Sequence, residues 1–366
     1  MSVATPRDPL MKIAVDAMGS DGGVPVSVEG AVGAAREHGL EVILVGDRAA
    51  VERELAHHRG AESLPIAVRH ASQVVESGEQ PSHALRRKRD SSMRVAASLV
   101  RDGEASAFIS AGNTGAAMAI AMFTLGVLPG VDRPAITVVL PNKRGRTILL
   151  DVGANIDPKP WHLAQYAVMG HIYARDIYGV AEPRVGLLSV GEEEGKGNEL
   201  AREVFKRLEE SPINFIGNVE GRDVYNGSAD VVVTDGFTGN VVLKVSESLA
   251  DMLIHLLREE INRSRATKLA ALLVRPAFRR LWKRVDYTET GGAPLLGING
   301  ACIIGHGASP ARAVKNAIRA AAELVKADVN GHIRAALAGE LAQSLAEARR
   351  GRADEGPTEP NAPRRY

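Results

Sequence analysis

One lysine in this chain stands where packing gives it nothing to do. In "LLSVGEEEGKGNEL", Leu187 to Leu200, an apolar run ends in three glutamates, and Lys196 follows between Gly195 and Gly197, two residues before Asn198. If a helix begins near Asn198, its free N–H groups and the Lys196 ammonium converge on one small anion. Glu192, Glu193 and Glu194 repel one another, and read as a solvated run that holds the loop open or pairs with nearby bases. A solvent-facing lysine on a mobile turn fits the same pattern. "TDGFTGN", Thr234 to Asn240, offers complementary groups: Asp235, Thr238 and Gly239 in a turn, then Asn240 at or just before a predicted helix start. There the Asn240 amide either caps the helix or donates an N–H to a ligand oxygen.

Two more loops have the same make-up. "DAMGSDGG" carries Asp16, Gly19, Asp21 and Gly22, and "SAGNTGA" carries Asn113, Thr114 and Gly115. Glycine lets a backbone come close to a ligand, and the helix that follows presents unpaired N–H groups to an anion. Each loop is equally an ordinary corner between strand and helix. None has the spacing of a nucleotide P-loop. "DAMGSDGG" lacks G-x-G-x-x-G, and its aspartates would repel a pyrophosphate, so a free phosphate suits these loops better. No H-E-x-x-H, G-x-S-x-G or C-x-x-C occurs, and Cys302 lies in an apolar run that reads as core. The expectation is chemistry without metal or organic cofactor, in which a substrate nucleophile is positioned and its charge neutralised.

Short apolar runs must carry these loops. "KIAVD" leads into the first, "EVILVGD" (Glu41 to Asp47) and "PIAVRHA" (Pro65 to Ala71) repeat the form, and "ASAFIS" leads into "SAGNTGA". Helical patterns such as Pro25 to Gly39 lie between them. That alternation predicts a largely parallel α/β sheet with helices on both faces, whose ligands gather at the carboxyl ends of the strands. "AITVVLPNKRGRTILLDVGAN" predicts instead a hairpin around "NKRG", making the sheet mixed. Further on, the pattern predicts a helix over Trp161 to Tyr178, strands at Val185 to Val190 and from Ala229, and a long helix from Val241 to about Asn262. Two short strands follow in "PLLGINGACIIGHGAS", then a helix capped by Ser309 with Pro310 at its first position. Residues 1–10 read as a mobile leader, 11–348 as one α/β domain, and 349–366, charged and Pro-rich, as a disordered tail.

With 366 residues, 45% apolar and 24% charged, the composition is that of an ordinary soluble protein with a sizeable core. One cysteine suits a reducing cytoplasm, and no signal peptide or spanning apolar stretch is visible. Aromatics at 4% argue against a base-stacking nucleic-acid platform. The net charge of +1 hides one asymmetry: Ile261 to Val285 holds eight Lys or Arg residues and no acid. Leu269, Leu272, Leu273 and Trp282 give that stretch apolar anchors, and Pro276 should break or kink its helix. A hairpin at about 241–286 with this character suits an anionic membrane surface, an acidic protein or packing against a second subunit.

Taken together, "KIAVDAMGSDGG", "SAGNTGA", "LLDVGAN", "GEEEGKGNEL", "ADVVVTDGFTGNV" and "GGAPLLGINGACIIGHGAS" resemble the bacterial fatty acyl-ACP:phosphate acyltransferases of phospholipid synthesis, in order and across nearly all of Lys12 to Val325. The resemblance implies a fold similar to isocitrate and isopropylmalate dehydrogenases, a homodimer, and peripheral attachment to the inner face of the cell membrane through the hairpin. It implies acyl transfer from long-chain acyl-ACP to inorganic phosphate. The acyl phosphate would feed a membrane glycerol-3-phosphate acyltransferase, which is also a candidate partner. By the same resemblance Lys196 holds phosphate and Asn240 serves the carbonyl oxygen or phosphate. Asp16, Gly19, Asp21, Gly22, Asn113, Thr114, Gly115, Asn155, Gly197, Asn198, Asp235, Thr238 and Gly239 would line the substrates. Gly195 stands where many relatives have Thr or Ser. A phosphate acyltransferase using short acyl-CoA is the alternative; a dehydrogenase on the same fold and a non-catalytic membrane scaffold are more distant readings.

Overall fold

The computed structural model describes residues 11–285 and 287–338, with the side chains of residues 282–285 and 287 outside the description. The predicted leader 1–10, the tail 349–366 and the Trp282 side chain therefore lie outside the described residues. The first half alternates strand and helix: β1 (Lys12–Asp16), α1 (Gly23–His38), β2 (Glu41–Gly46), α2 (Arg48–Leu55), β3 (Ile66–His70), α3 (Pro81–Arg87), α4 (Ser92–Arg101), β4 (Ala107–Ser110) and α5 (Thr114–Leu125). The predicted hairpin is present as β5 (Ala135–Pro141) and β6 (Arg146–Leu150), paired antiparallel. Then come α6 (Pro160–Tyr178), β7 (Val185–Leu188), α7 (Glu199–Glu209), β8 (Phe215–Val219), α8 (Asp223–Asn226) and β9 (Val231–Val233). Two long helices, α9 (Gly236–Asn262) and α10 (Arg265–Val285), precede β10 (Ala293–Leu296), β11 (Ala301–Ile304), α11 (Ala311–Lys326) and α12 (Val329–Ala338).

The eleven strands of the described residues join one sheet in the order β3-β2-β1-β4-β11-β10-β5-β6-β9-β7-β8. Pairing is parallel from β3 to β11, antiparallel across β11/β10, β10/β5 and β5/β6, and parallel again from β6 to β8. The sheet is thus mixed and largely parallel. Strands such as β1 and β4 are apolar almost throughout because both faces are covered. Ile13, Leu44 and Ile148 are sealed from solvent, each worth about 1.5–3 kcal/mol of burial. Close helix contact needs a missing side chain at Gly30, where a Cβ would meet Val314 Cβ at 2.6 Å and the Ala311 carbonyl at 2.8 Å, so α1 seats directly on α11.

The structure shifts several predicted boundaries. α9 begins at Gly236, five residues before the predicted Val241, because the Asp235 side chain caps it by accepting from Thr238 N at 2.8 Å. Asn240 is therefore inside the helix and is no cap. Pro310, not Ser309, occupies the N-cap of α11 and makes no side-chain cap bond. Pro276 lies within α10, which continues past it. β8 was not legible: "FIGNV" alternates weakly and contains glycine. Val242 and Leu243 at the base of the hairpin pack against the core, and after Gly239 no described residue of α9 or α10 is fully buried.

Candidate active site

Strand direction sorts the glycine loops into two groups. β1, β4 and β11 run one way, while β6, β7 and β9 run the other. Their carboxyl ends leave the sheet at opposite edges, and no hydrogen bond among the described residues links the groups. The four loops therefore fall into two groups.

The first group closes on itself. Asp16, buried at the end of β1, accepts from Gly19 N (3.1 Å), Met18 N (3.2 Å) and the Ser110 hydroxyl (2.7 Å). Burial pushes its carboxyl up from the usual range while these donors pull it back. A Cβ on Gly19 would lie 2.4 Å from Asp16 Oδ2, so that glycine makes room for the carboxylate. Gly22 stands at the N-cap of α1, and the exposed Asp21 bonds through its backbone to the Gly307 carbonyl (2.9 Å) and accepts from the Ser77 hydroxyl (3.3 Å). Asn113 caps α5 by accepting from Ala116 N and donates to the carbonyls of Ser77 (2.9 Å) and Glu79 (2.8 Å). Gly115 packs on Pro81, while Thr114 remains exposed.

The second group is built on Asp151, which directly follows β6 and is not among the sequence-predicted site residues. It has no solvent exposure and accepts from Ile136 N (3.0 Å), Ala154 N (3.0 Å), Asn155 N (2.7 Å) and Asn155 Nδ2 (3.2 Å). Burial raises this carboxyl too, against the pull of its donors. Asn155 also donates to the Pro134 carbonyl (2.7 Å) and accepts from Gly236 N (2.8 Å), which ties the first turn of α9 to the 151–155 loop. A Cβ at Gly239 would fall 1.9 Å from the Asp151 carbonyl oxygen, so only glycine permits this approach. Asn240, one residue on, is exposed, and its side chain makes no hydrogen bond among the described residues. Its Oδ1 lies 3.6 Å from where a Gly153 Cβ would be, so its amide sits over that loop.

On the neighbouring β7, the loop bearing Lys196 is pinned from elsewhere. Arg222 pairs with Glu192 (2.7 Å), and Asn218 Nδ2 donates to the Glu193 carbonyl (2.8 Å). No sequence signal pointed to these two, since they lie some thirty and twenty-five residues downstream. The Lys196 stem passes over Gly191, whose Cβ would meet Lys196 Cγ at 3.1 Å. Its ammonium forms no ion pair among the described residues. Asn198 caps α7 by accepting from Ala201 N (2.8 Å), as the sequence predicts for a helix starting there.

Between the ends of β7 and β9 and the first turns of α7 and α9 lies a cavity of about 220 Å³. Leu163, Leu187, Leu188, Val190, Leu200 and Ala201 give it mainly apolar walls, and Ser189, Gly197, Asn198, Thr234, Asp235 and Thr238 complete them. Two helix N-termini and a lysine beside an apolar cavity form a site that can hold an anion next to a hydrocarbon group. No cluster of His, Cys, Asp or Glu able to hold a metal is present among the described residues.

The architecture is that of the phosphotransacylases. It superposes on a phosphotransacetylase from Streptococcus pyogenes with a TM-score of 0.60 at 18% identity, covering 86% of this chain and 94% of the other. A second from Staphylococcus aureus gives 0.57 at 16% identity, covering 86% and 94%. Sequence kinship is narrower. The chain belongs to the fatty acid synthesis protein family, whose model matches residues 11–332. Among its relatives are the phosphate acyltransferase of Geobacter sulfurreducens, 55% identical over 320 residues (87% of this chain, 92% of the relative), and that of Pelotomaculum thermopropionicum, 53% identical over 316 residues (86% and 92%).

Proposed function

We propose that this enzyme moves a long-chain acyl group from acyl carrier protein to inorganic phosphate, yielding acyl phosphate for phospholipid synthesis. The observation that carries this reading is Lys196, whose ammonium forms no ion pair among the described residues and which stands one residue before Gly197 and Asn198 in the wall of a largely apolar cavity. A phosphate oxygen attacks the thioester carbonyl carbon, the C–S bond breaks, and the thiolate leaves and takes a proton from solvent. Lys196 and the α7 N–H groups offset the charge of the phosphate, and Asn240 donates to the phosphate or to the carbonyl oxygen. The leaving thiolate, of pKa roughly 8.5, needs no strong acid. Fixing phosphate against the thioester lowers the barrier further by prepaid orientation.

In this reading Gly197, Asn198, Asp235, Thr238 and Gly239 shape the pocket, and Asn155 positions α9. The loop group at the other sheet edge, Asp16 to Gly22 with Asn113 to Gly115, enters as a second place of substrate contact, with Asp21 and Thr114 its exposed side chains. Phe237, Val241, Val245, Leu249 and Leu253 form an exposed apolar stripe along α9 that supports a homodimer. Leu269, Leu272 and Leu273, exposed among the basic residues of α10, support attachment to an anionic membrane from the cytoplasm. No helix among the described residues is long and apolar enough to cross a membrane.

The test is to incubate the protein with phosphate and palmitoyl-ACP, palmitoyl-CoA or acetyl-CoA, and to trap acyl phosphate as hydroxamate. Product from palmitoyl-ACP is expected, product from acetyl-CoA alone would replace the donor, and none from any donor would end the reading. Lys196→Ala should lower turnover at least about a hundredfold with the fold intact.

A further inference from the structure

Two side chains tie the loop of Lys196 to the strand and helix beside it, and they differ in depth. Arg222 meets Glu192 at the surface, where both side chains are mostly exposed and an ion pair adds little. Asn218 is buried near the end of β8. Its Nδ2 donates at 2.8 Å to the Glu193 carbonyl, which also accepts from Lys196 N at 3.0 Å. One oxygen thus closes the 193–196 turn and fastens it to the sheet. The Lys196 stem leaves that turn over Gly191, where a Cβ would meet Lys196 Cγ at 3.1 Å and Cδ at 3.4 Å. A carbonyl only accepts, so the Asn218 amide must face it nitrogen first. Its Oδ1 is then sealed from solvent with no hydrogen-bond partner among the described residues. Burying such an acceptor costs at least as much stability as the donated bond contributes, so stability does not account for an amide at this position.

We infer that Asn218 is a positioning residue: through the Glu193 carbonyl it fixes the turn from which Lys196 reaches phosphate. This rests on the acyl-transfer reading and adds a residue to it. Asn218 touches neither substrate. Its effect is to narrow the positions open to an exposed, flexible side chain that stands between Gly195 and Gly197. The flanking glycines restrain that chain little, since a Cβ at Gly195 would meet nothing within 4 Å. With the turn unfastened, the ammonium spreads over a wider volume, and phosphate between it and the α7 N–H groups is held more weakly and aimed less well. A misplacement of about 1 Å costs on the order of a hundredfold. The acyl donor is affected less, because its leucine walls come from α6, β7 and α7.

The test is Asn218→Leu, which removes the donor and the sealed acceptor together at nearly the same size and leaves the Glu193 carbonyl its bond from Lys196 N. Hydroxamate trapping with palmitoyl-ACP, at varied phosphate, compares it with wild type, Lys196→Ala and the double variant. The expected result is a fall of about ten- to a hundredfold in kcat/KM for phosphate, with KM for palmitoyl-ACP unchanged and the melting temperature within a few degrees of wild type. Added to Lys196→Ala, the substitution should cost less than about twofold more, because residues that act through one another are not additive. Wild-type kcat/KM for phosphate, or losses that multiply in the double variant, would overturn the assignment while leaving the acyl-transfer reading standing. A lowered melting temperature with KM raised for both substrates would make Asn218 structural and overturn it as well. Asn218→Ala carries the same expectations where the Leu variant does not fold. Absence of product from wild type would remove the underlying reading and the inference with it.

Discussion

Gly239→Ala tests how the site is held together. The added Cβ would lie 1.9 Å from the Asp151 carbonyl oxygen, and real Cβ contacts essentially never fall under 3.0 Å. The opposing atom is backbone, so no rotamer change relieves it, and the start of α9 must lift from the 151–155 loop by about 1 Å. Two stability effects compete. Ala in a helix interior is favoured over Gly by about 1 kcal/mol, while forcing atoms into a packed region costs typically about 1–3 kcal/mol. With a carbonyl as obstacle the clash should win, and the melting temperature should drop by a few degrees. Activity should suffer more: Asn240 is the next residue, and a misplacement of about 1 Å costs on the order of a hundredfold. The assay pairs urea unfolding with hydroxamate trapping. Gly195→Ala is the control, because a Cβ there meets nothing within 4 Å, so both measurements should match wild type. If Gly239→Ala unfolds earlier yet turns over normally, the placement of Asn240 against Asp151 does not matter, and the reasoning fails.

Two further outcomes are expected. Lys88, donating at 2.6 Å, and His83 hold the Glu79 carboxyl near 2, below its ordinary 4.5. A depressed carboxyl stabilises the fold above about pH 4.5 and loses that contribution as pH falls toward 2, so Glu79→Gln should be less stable at pH 7 and match wild type near pH 2. A constant gap from pH 7 to 2 in urea-unfolding free energies would refute it. On the hairpin, Leu272 and Leu273 are 62% and 80% exposed. Leu272→Glu with Leu273→Glu should abolish sedimentation with vesicles of anionic phospholipid while leaving turnover of a soluble donor intact, and undiminished sedimentation would exclude membrane contact through these residues.

Periodicity made much of the fold legible. Apolar runs flanked by glycine marked β1, β2, β3, β4, β7 and β9, and "NKRG" marked the β5/β6 hairpin. What the pattern could not give was strand direction. A local run such as "VGLL" reads the same in either orientation, and only long-range pairing reveals that β6, β7 and β9 oppose β1 and β4. Hence four similar loops looked like one site. Asn240 was placed one helical turn wrong because Gly236 and Gly239, poor helix formers in water, are required in α9 by contact with Asp151. Tertiary packing overrode propensity there.

The contrast between the two loop groups shows what distinguishes a corner from a site. Both strands end in a buried aspartate that folds the next residues back through their N–H groups, so the local device is shared. Around Asp16 the carboxylate is held by the Ser110 hydroxyl and the Met18 and Gly19 N–H groups. Around Asp151 and β7 the Lys196 ammonium forms no ion pair and the Asn240 side chain no hydrogen bond among the described residues. Both are exposed and lose nothing, since water serves them until a substrate displaces it.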